Sequence, residues 1–181
     1  MNSIGCVIDI ETTGLKPGIH EIIELSLLLH DENFIPLDSF ICKIRPMHPE
    51  YVDPKAMEIN KLSLSNLKNE STPSQIRNAL CQWHEEIANN TKLIPLGHNY
   101  SFDKSFLTIF LGEYYNNIFH YHNRDTLSLA FALRDKGILK IDSLSLTSIG
   151  KYFQLPEQIH RAEQDTRLCL SIYRKLLGLI K

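Results

Sequence analysis

Apolar residues come in short runs in the first quarter of the chain, and this pattern predicts strands before any helix. The polar cluster His30-Asp31-Glu32-Asn33 separates two of these runs and indicates a hairpin. A fourth apolar run follows a helical segment, and a fifth lies further along the chain. The predicted strands are Ile4–Glu11, Glu21–His30, Asp38–Ile44, Lys92–Leu96 and Ile118–His122.

Helical periodicity begins at position 72. Thr72-Pro73-Ser74-Gln75 has the spacing of a capping box with proline at the first helical position, and Ile76, Leu80, Trp83 and Ile87 recur on one face. Antiparallel strands followed by alternating helices and strands predict one α/β domain over residues 1–181, a mixed sheet flanked by helices. The other predicted helices start near Ser101 and cover 125–135, 143–153 and 161–179, with short turns at Pro54–Glu58 and Leu62–Lys68.

Composition narrows the class of protein. The 181 residues are 43% apolar, enough for a sizeable core, and the net charge of −2 argues against a protein that coats long duplexes through many phosphate contacts. The N-terminus lacks a signal-peptide pattern and no apolar run is long enough to cross a bilayer, so we expect a soluble, cytoplasmic protein with no membrane partner. The scattered cysteines favour free thiols over disulfides or a zinc site; they are Cys6, Cys42, Cys81 and Cys169.

Two carboxylates stand at the end of the first predicted strand, in the stretch VIDIETTGL. Because side chains alternate along a strand, Asp9 and Glu11 share one face with Val7. The following Thr12-Thr13-Gly14 turn places both acids at the end of the sheet, a usual position for ligands in α/β proteins. Acids that point into solvent at a strand end would give the same pattern, so this pair alone is weak evidence for a site.

Two predicted helices also carry an aspartate within an apolar stripe. Asp103 lies in line with Phe106 and Leu107, and Asp165 lies on the stripe that Ala162 begins. Asp103 alone could complement a helix dipole. However, buried carboxylates cost several kcal/mol without compensation, and no lysine or arginine stands at positions that would pair with all four acids. A shared divalent metal explains them together, and hard oxygen donors favour magnesium or manganese over zinc.

Three segments, DIETTGL, GHNYSFDKSFL and HRAEQD, resemble the three exonuclease motifs of the DEDDh, or DnaQ-like, 3′–5′ exonucleases. The resemblance runs from residue 7 to about 177, and it includes AMEINKL, RDTLSLA and SLSLTSIGKYFQL between the motifs. It implies a ribonuclease H-like fold, with a mixed five-stranded sheet flanked by helices.

The same resemblance implies that Asp9, Glu11, Asp103 and Asp165 bind two Mg²⁺ or Mn²⁺ ions and that His160 is the general base. Asp9 would be shared by both ions, Glu11 and Asp165 would complete one site, and Asp103 would act partly through water on the other. His160 stands five residues before Asp165, whereas a related branch carries a tyrosine four residues before the last aspartate. Five helical residues would turn His160 about 140° away from Asp165, so we expect it before the helix.

Substrate contacts are also implied by the resemblance. Leu15, Ile59 and Phe102 would pack against the terminal bases or sugar, and such apolar packing tolerates any base sequence, as the trimming of strand ends requires. Core packing of Leu15 and Phe102 fits the sequence equally well. His98 and Asn99 would make supporting hydrogen bonds, and Glu24 is interpreted as part of a solvated face. The implied substrate-binding residues are Thr12, Thr13, Leu15, Ile59, His98, Asn99 and Phe102.

The sequence therefore predicts a metal-dependent 3′–5′ exonuclease on single-stranded nucleic-acid ends, with DNA preferred to RNA. An RNA-trimming enzyme of the ribonuclease T or oligoribonuclease kind is the main alternative, since the same metals cut either polymer. Because the chain ends soon after the third motif, we expect a freestanding enzyme rather than a polymerase-associated proofreading subunit. The sequence does not determine a polymerase or homodimer partner. A non-catalytic nucleic-acid-binding adaptor is least favoured because all five catalytic positions are present.

Overall fold

A computed structural model of the chain describes residues 4–89, 91–155 and 161–180. In the described residues the strands form a mixed five-stranded sheet in the order β3-β2-β1-β4-β5. The central β1 is antiparallel to β2 and parallel to β4, while β4 is parallel to β5. The strands are β1 Gly5–Thr12, β2 Ile22–His30, β3 Pro36–Lys43, β4 Ile94–Gly97 and β5 Arg124–Asp125.

Helices occupy both faces of this sheet, which confirms the predicted fold class. None of the described helices combines the length and apolar character needed to span a bilayer. Single 3₁₀ turns lie at Pro49–Tyr51 and Gly112–Tyr114. The helices are α1 Pro54–Asn60, α2 Leu64–Leu67, α3 Pro73–Ala88, α4 Tyr100–Leu111, α5 Tyr115–Ile118, α6 Thr126–Asp135, α7 Leu146–Tyr152 and α8 Ala162–Leu177.

The central strand is buried on both faces because helices pack on both sides of it. Cys6, Ile8 and Ile10 join a core cluster with α3 and α4, whereas Val7 belongs to a second cluster with α6, α7 and α8. Asp9 and Glu11 follow Val7 at two-residue spacing and therefore point toward the side of α8. Because β4 runs parallel to β1, α4 begins at the same end of the sheet at which β1 ends.

Local sequence signals account for several of these elements. The hairpin between β2 and β3 forms as predicted, and Asp31 stabilises it by accepting hydrogen bonds from the Asn33 and Ile35 N–H groups, at 2.9 and 2.8 Å. The predicted capping box at the start of α3 is confirmed, since Thr72 and Gln75 each accept a hydrogen bond from the other's backbone N–H.

Two expectations about elements are wrong. The predicted strand Ile118–His122 does not form: Ile118 ends the short helix α5, and Phe119 makes an isolated bridge to Leu93. The strand β5 lies later, at Arg124–Asp125. A short apolar run does not distinguish a strand from a buried helix end, and here Ile118 and Phe119 are buried at the end of α5. On α3, Ile87 is exposed and His84 is buried instead, because the His84 Nε2–H donates to the Thr91 carbonyl at 3.0 Å.

Candidate active site

Three carboxylates converge at the carboxyl end of β1. Asp9 and Glu11 extend from β1, and Asp165 extends from the first turn of α8, where it is buried. One carboxylate oxygen from each of the three lies within 4.8 Å of the other two. The apolar face of α8 packs against β1 and β2, and this packing brings Asp165 from the far end of the chain to the central strand.

Asp103 approaches the same strand end from α4. It lies in the first turn of that helix and is 6% exposed. Burial raises its pKa to about 8, opposed by hydrogen bonds from its own backbone N–H and that of Ile10 on β1. Burial is the largest cause of the raised pKa of Asp9, and the negative charge of Asp103 is the second largest. Asp103 therefore belongs to the same electrostatic group, although the close set of three oxygens does not include it.

Burial and mutual repulsion raise the pKa values of the acids on β1. The pKa of Asp9 is well above its usual range because the surrounding protein removes hydration from this partly exposed group and because Asp103, Asp165 and Glu11 are negatively charged neighbours. Burial, followed by the charge of Asp165, raises the pKa of Glu11 to about 8. Such acids resist simultaneous ionisation near neutral pH unless a cation joins them. Clustered carboxylate oxygens are ligands that Mg²⁺ and Mn²⁺ prefer, so the donor set fits a divalent metal.

The expectation that Glu24 lies on a solvated face is wrong. Glu24 is 3% exposed and lies opposite Glu11 in the pairing of β1 with β2. Its burial is compensated by Arg161, whose Nη2 donates to Glu24 Oε1 at 2.9 Å. Glu24 raises the pKa of Glu11, and Arg161 lowers it. The available sequence signal was a single charge inside a run of mostly apolar residues, which is typical of a buried strand.

Asp125 is a second acid whose role the sequence did not reveal. Its carboxylate accepts hydrogen bonds from Tyr100 N–H at 2.7 Å, from Leu127 N–H at 2.8 Å and from Ser128 N–H at 3.1 Å. It therefore caps the starts of α4 and α6 together and fixes the turn of α4 that carries Asp103. The aspartate before a predicted helix was a capping signal for α6, but its bond to α4 depends on the parallel pairing of β4 with β5.

The turn after β1 is tied down by its own polar groups. Thr12 and Thr13 are buried, the Thr12 hydroxyl donates to the Gly14 carbonyl at 2.7 Å, and the Thr13 hydroxyl accepts from Glu21 N–H at 2.9 Å. The Thr12 carbonyl accepts from the buried Asn60 side chain at 3.2 Å. A β-carbon at Gly14 would lie 2.5–2.6 Å from atoms of the His20 ring, so a larger residue at this position would displace that ring. The turn holds the last residues of β1 in place.

The apolar residues expected to contact substrate differ in exposure. Leu15 is 73% exposed and Ile59 is 48% exposed, so core packing does not explain Leu15. Phe102 is half-buried, packs against the first core cluster and lies with its ring centroid 5.1 Å from that of Phe106. Leu15 and Ile59 present apolar surface to solvent on the segments that flank the β1 turn.

His98 and Asn99 lie where β4 passes into α4. His98 Nδ1 is 2.7 Å from the Thr126 hydroxyl oxygen, and burial lowers the pKa of His98. Asn99 adopts a left-handed conformation, with φ of 63°, immediately before α4, and its side-chain oxygen accepts from Ser101 at 3.0 Å. His160, the predicted general base, lies outside the described residues, and the description resumes at Arg161.

Comparison with known proteins assigns the chain to a family. The model of the family RNase_T, described as an exonuclease, matches residues 6–173. PolC-type DNA polymerase III of Thermotoga petrophila and that of Thermotoga maritima are each 28% identical to the chain, over 181 and 176 residues. These alignments cover 99% and 97% of this chain but 12% of each relative, so the chain spans about an eighth of their length.

Solved structures of Escherichia coli exonuclease I have the same fold. The complex with a dT13 oligonucleotide superposes with a TM-score of 0.78 at 17% identity, covering 96% of this chain and 41% of exonuclease I. The zinc-bound complex with single-stranded DNA gives a TM-score of 0.78 at 18% identity, covering 99% and 41%.

The raised pKa values predict how stability depends on pH without metal. Glu11 and Asp103 keep their protons up to about pH 8 in the folded chain, but lose them near pH 4 when unfolded. Their contribution to stability is present below pH 4 and is lost as the pH rises through 8. In EDTA, the free energy of unfolding measured with urea should fall between pH 6.5 and 8.

Asp103→Asn should flatten this dependence, and Asp135→Asn, at an exposed position on α6, should not. A wild-type stability that rises over this interval, or an Asp103→Asn variant with an unchanged slope, would contradict the electrostatic description.

Proposed function

The chain belongs to this exonuclease family, and from that premise we propose that it is a metal-dependent 3′–5′ exonuclease that removes nucleotides from single-stranded DNA ends. The observation that carries the proposal is the set of three carboxylate oxygens within 4.8 Å of one another at the end of the central strand. A metal-dependent exonuclease needs such a cluster because the carboxylates would hold the divalent cations that neutralise the negative charge developing on the phosphate and on the leaving oxygen.

Asp9, Glu11 and Asp165 would hold one divalent ion, and Asp103 with Asp9 a second. When bound, the two ions would activate the attacking water and neutralise charge on the leaving 3′-oxygen. The fit rests on the chemistry of the donors, which are carboxylates that remain partly protonated near neutral pH without a cation. Mg²⁺ and Mn²⁺ are the ions that we propose.

His160 would accept the proton of the attacking water at a neutral ring nitrogen. The support is the spacing HRAEQD, in which the histidine precedes α8 in the sequence and the last acid, Asp165, lies in the first turn of that helix. An imidazole with its ordinary pKa of about 6.5 is mostly neutral at pH 7.5 and can take a proton there.

A preference for DNA is supported by the similar proteins. Solved structures of exonuclease I include complexes with dT13 and dA16 oligonucleotides, and the PolC-type relatives are DNA polymerases. The exposed side chains of Leu15 and Ile59 offer apolar surface on which unpaired bases of any sequence can pack.

The match to PolC-type polymerases favours a second candidate function, excision of nucleotides beside a polymerase. Both candidates use the same site and differ in the partner. Size-exclusion chromatography with a PolC-type polymerase from which the matching segment has been deleted distinguishes them. Coelution supports the polymerase-associated enzyme, and separate elution supports the freestanding one.

Cleavage polarity and metal dependence are the first tests of the proposal. A single-stranded DNA oligonucleotide labelled at its 5′ end should give a ladder of products shortened one nucleotide at a time, with Mg²⁺ or Mn²⁺ but not with EDTA. RNA of matched sequence and duplex DNA should be degraded more slowly. Asp165→Asn, prepared in parallel, should be inactive and so excludes a contaminating nuclease.

Degradation that proceeds from the 5′ end, or that is unchanged in EDTA, would refute the proposed reaction. Faster cleavage of RNA would replace DNA by RNA as the substrate and leave the reaction in place.

Removal of the general base should slow the chemical step without removing the metal ligands. His160→Ala should reduce the single-turnover rate by about 10²–10⁴-fold at saturating enzyme and metal, the usual contribution of a general base. The matched control is His122→Ala, a histidine exposed outside the carboxylate cluster. His160→Ala should still bind Mn²⁺ and single-stranded DNA. Equal rates for wild type and His160→Ala would exclude His160 from proton transfer.

A further inference from the structure

Glu24 and Arg161 form a tight ion pair beside the carboxylate cluster. Arg161 Nη2 donates to Glu24 Oε1 at 2.9 Å, and Arg161 Nε lies 3.3 Å from Oε1 and 3.2 Å from Oε2. The Glu24 carboxylate also accepts from the Ala162 N–H at 3.4 Å. The glutamate side chain is 4% exposed, whereas that of the arginine is 41% exposed. One buried carboxylate thus holds both the guanidinium and the first N–H of α8.

This pair joins the two elements that carry the acids. Glu24 lies opposite Glu11 on the neighbouring strand. Arg161 is the residue immediately before α8, and its carbonyl accepts from Asp165 N–H at 3.0 Å. A second link, between the Ser26 and Thr166 hydroxyls at 3.1 Å, lies beside the first. The position of Asp165 relative to β1 is therefore fixed through Glu24 and Arg161.

The charges of the pair have opposite effects on the cluster. Glu24 raises the pKa values of Asp9 and Glu11, whereas Arg161 lowers that of Glu11. Glu24 is not one of the three acids whose oxygens lie within 4.8 Å of one another. Its carboxylate is turned to Arg161 and Ala162 instead, so it stabilises the start of α8 rather than adding a ligand.

We propose that Glu24 and Arg161 are positioning residues that set the placement of Asp165 against Asp9 and Glu11, and thereby the affinity of the cluster for a divalent ion. The inference rests on the proposed metal-dependent function. For the affinity of the cluster for cations, a positioning role predicts the opposite of what the charge of Arg161 alone predicts. Loss of the positive Arg161 should strengthen cation binding if only charge matters, but should weaken it if the pair positions Asp165.

Mn²⁺ binding, measured by the electron paramagnetic resonance signal of free Mn²⁺, tests the proposal directly. Arg161→Lys keeps the charge and loses the two-pronged contact, and it should weaken Mn²⁺ binding by about tenfold, the lower range found when residues that orient metal ligands are lost. Arg161→Gln should also bind more weakly. The matched control is Arg167→Gln, because Arg167 pairs with Glu163 on the exposed face of the same helix at 3.4 Å. It should bind Mn²⁺ as wild type does.

Stability and turnover separate positioning from simple stabilisation. If Arg161→Gln does not fold because Glu24 stays buried without a partner, Glu24→Gln/Arg161→Gln removes that charge and should fold with weakened Mn²⁺ binding. Cleavage by Arg161→Lys should recover as Mn²⁺ is raised, with an unchanged KM for DNA. Wild-type affinity in Arg161→Lys and in the double variant, or tighter binding in Arg161→Gln, would overturn the inference. Absence of Mn²⁺ binding in wild type would instead overturn the proposed metal-dependent function.

Discussion

Repulsion among carboxylates that are buried or partly buried at the end of β1 is the constraint on which the rest of the site depends. Asp9 is close enough to Asp103, Asp165 and Glu11 for each of their charges to raise its pKa. Acids in such a group gain nothing from one another and lose hydration on burial. The folded chain must therefore hold them together with free energy from elsewhere, and the two core clusters on the faces of β1 supply apolar contacts for that.

Polar contacts then fix where each acid stands. Asp125 accepts hydrogen bonds from the starts of α4 and α6 and so holds the turn that carries Asp103. Glu24 binds Arg161 and the first N–H of α8 and so holds the turn that carries Asp165. Both are acids outside the cluster that act through backbone and arginine donors. Asp125 and Glu24 thus orient the turns that carry Asp103 and Asp165.

The central part of this arrangement follows from local sequence patterns. Two acids at strand spacing, and one aspartate within each of two apolar helical stripes, predict carboxylates directed into the protein, and all lie at the end of β1. The roles of Glu24 and Asp125 depend on strand pairings that local periodicity does not specify. Glu24 lies opposite Glu11 only because of the antiparallel register between β1 and β2. Asp125 reaches α4 only because β5 pairs with β4. The fifth strand is not predictable for a different reason, since its two residues carry too little pattern to indicate a strand.

The stability of Asp9→Asn without metal tests most directly whether the acids are held together against their own repulsion. The neutral amide has nearly the same shape as the carboxylate and removes the charge at the centre of the group. In EDTA at pH 8.5, the free energy of unfolding measured with urea should be higher for Asp9→Asn than for wild type, and added Mn²⁺ should stabilise wild type more than the variant. An Asp9→Asn protein that is less stable than wild type in EDTA, or that gains as much stability from Mn²⁺, would contradict the repulsive cluster.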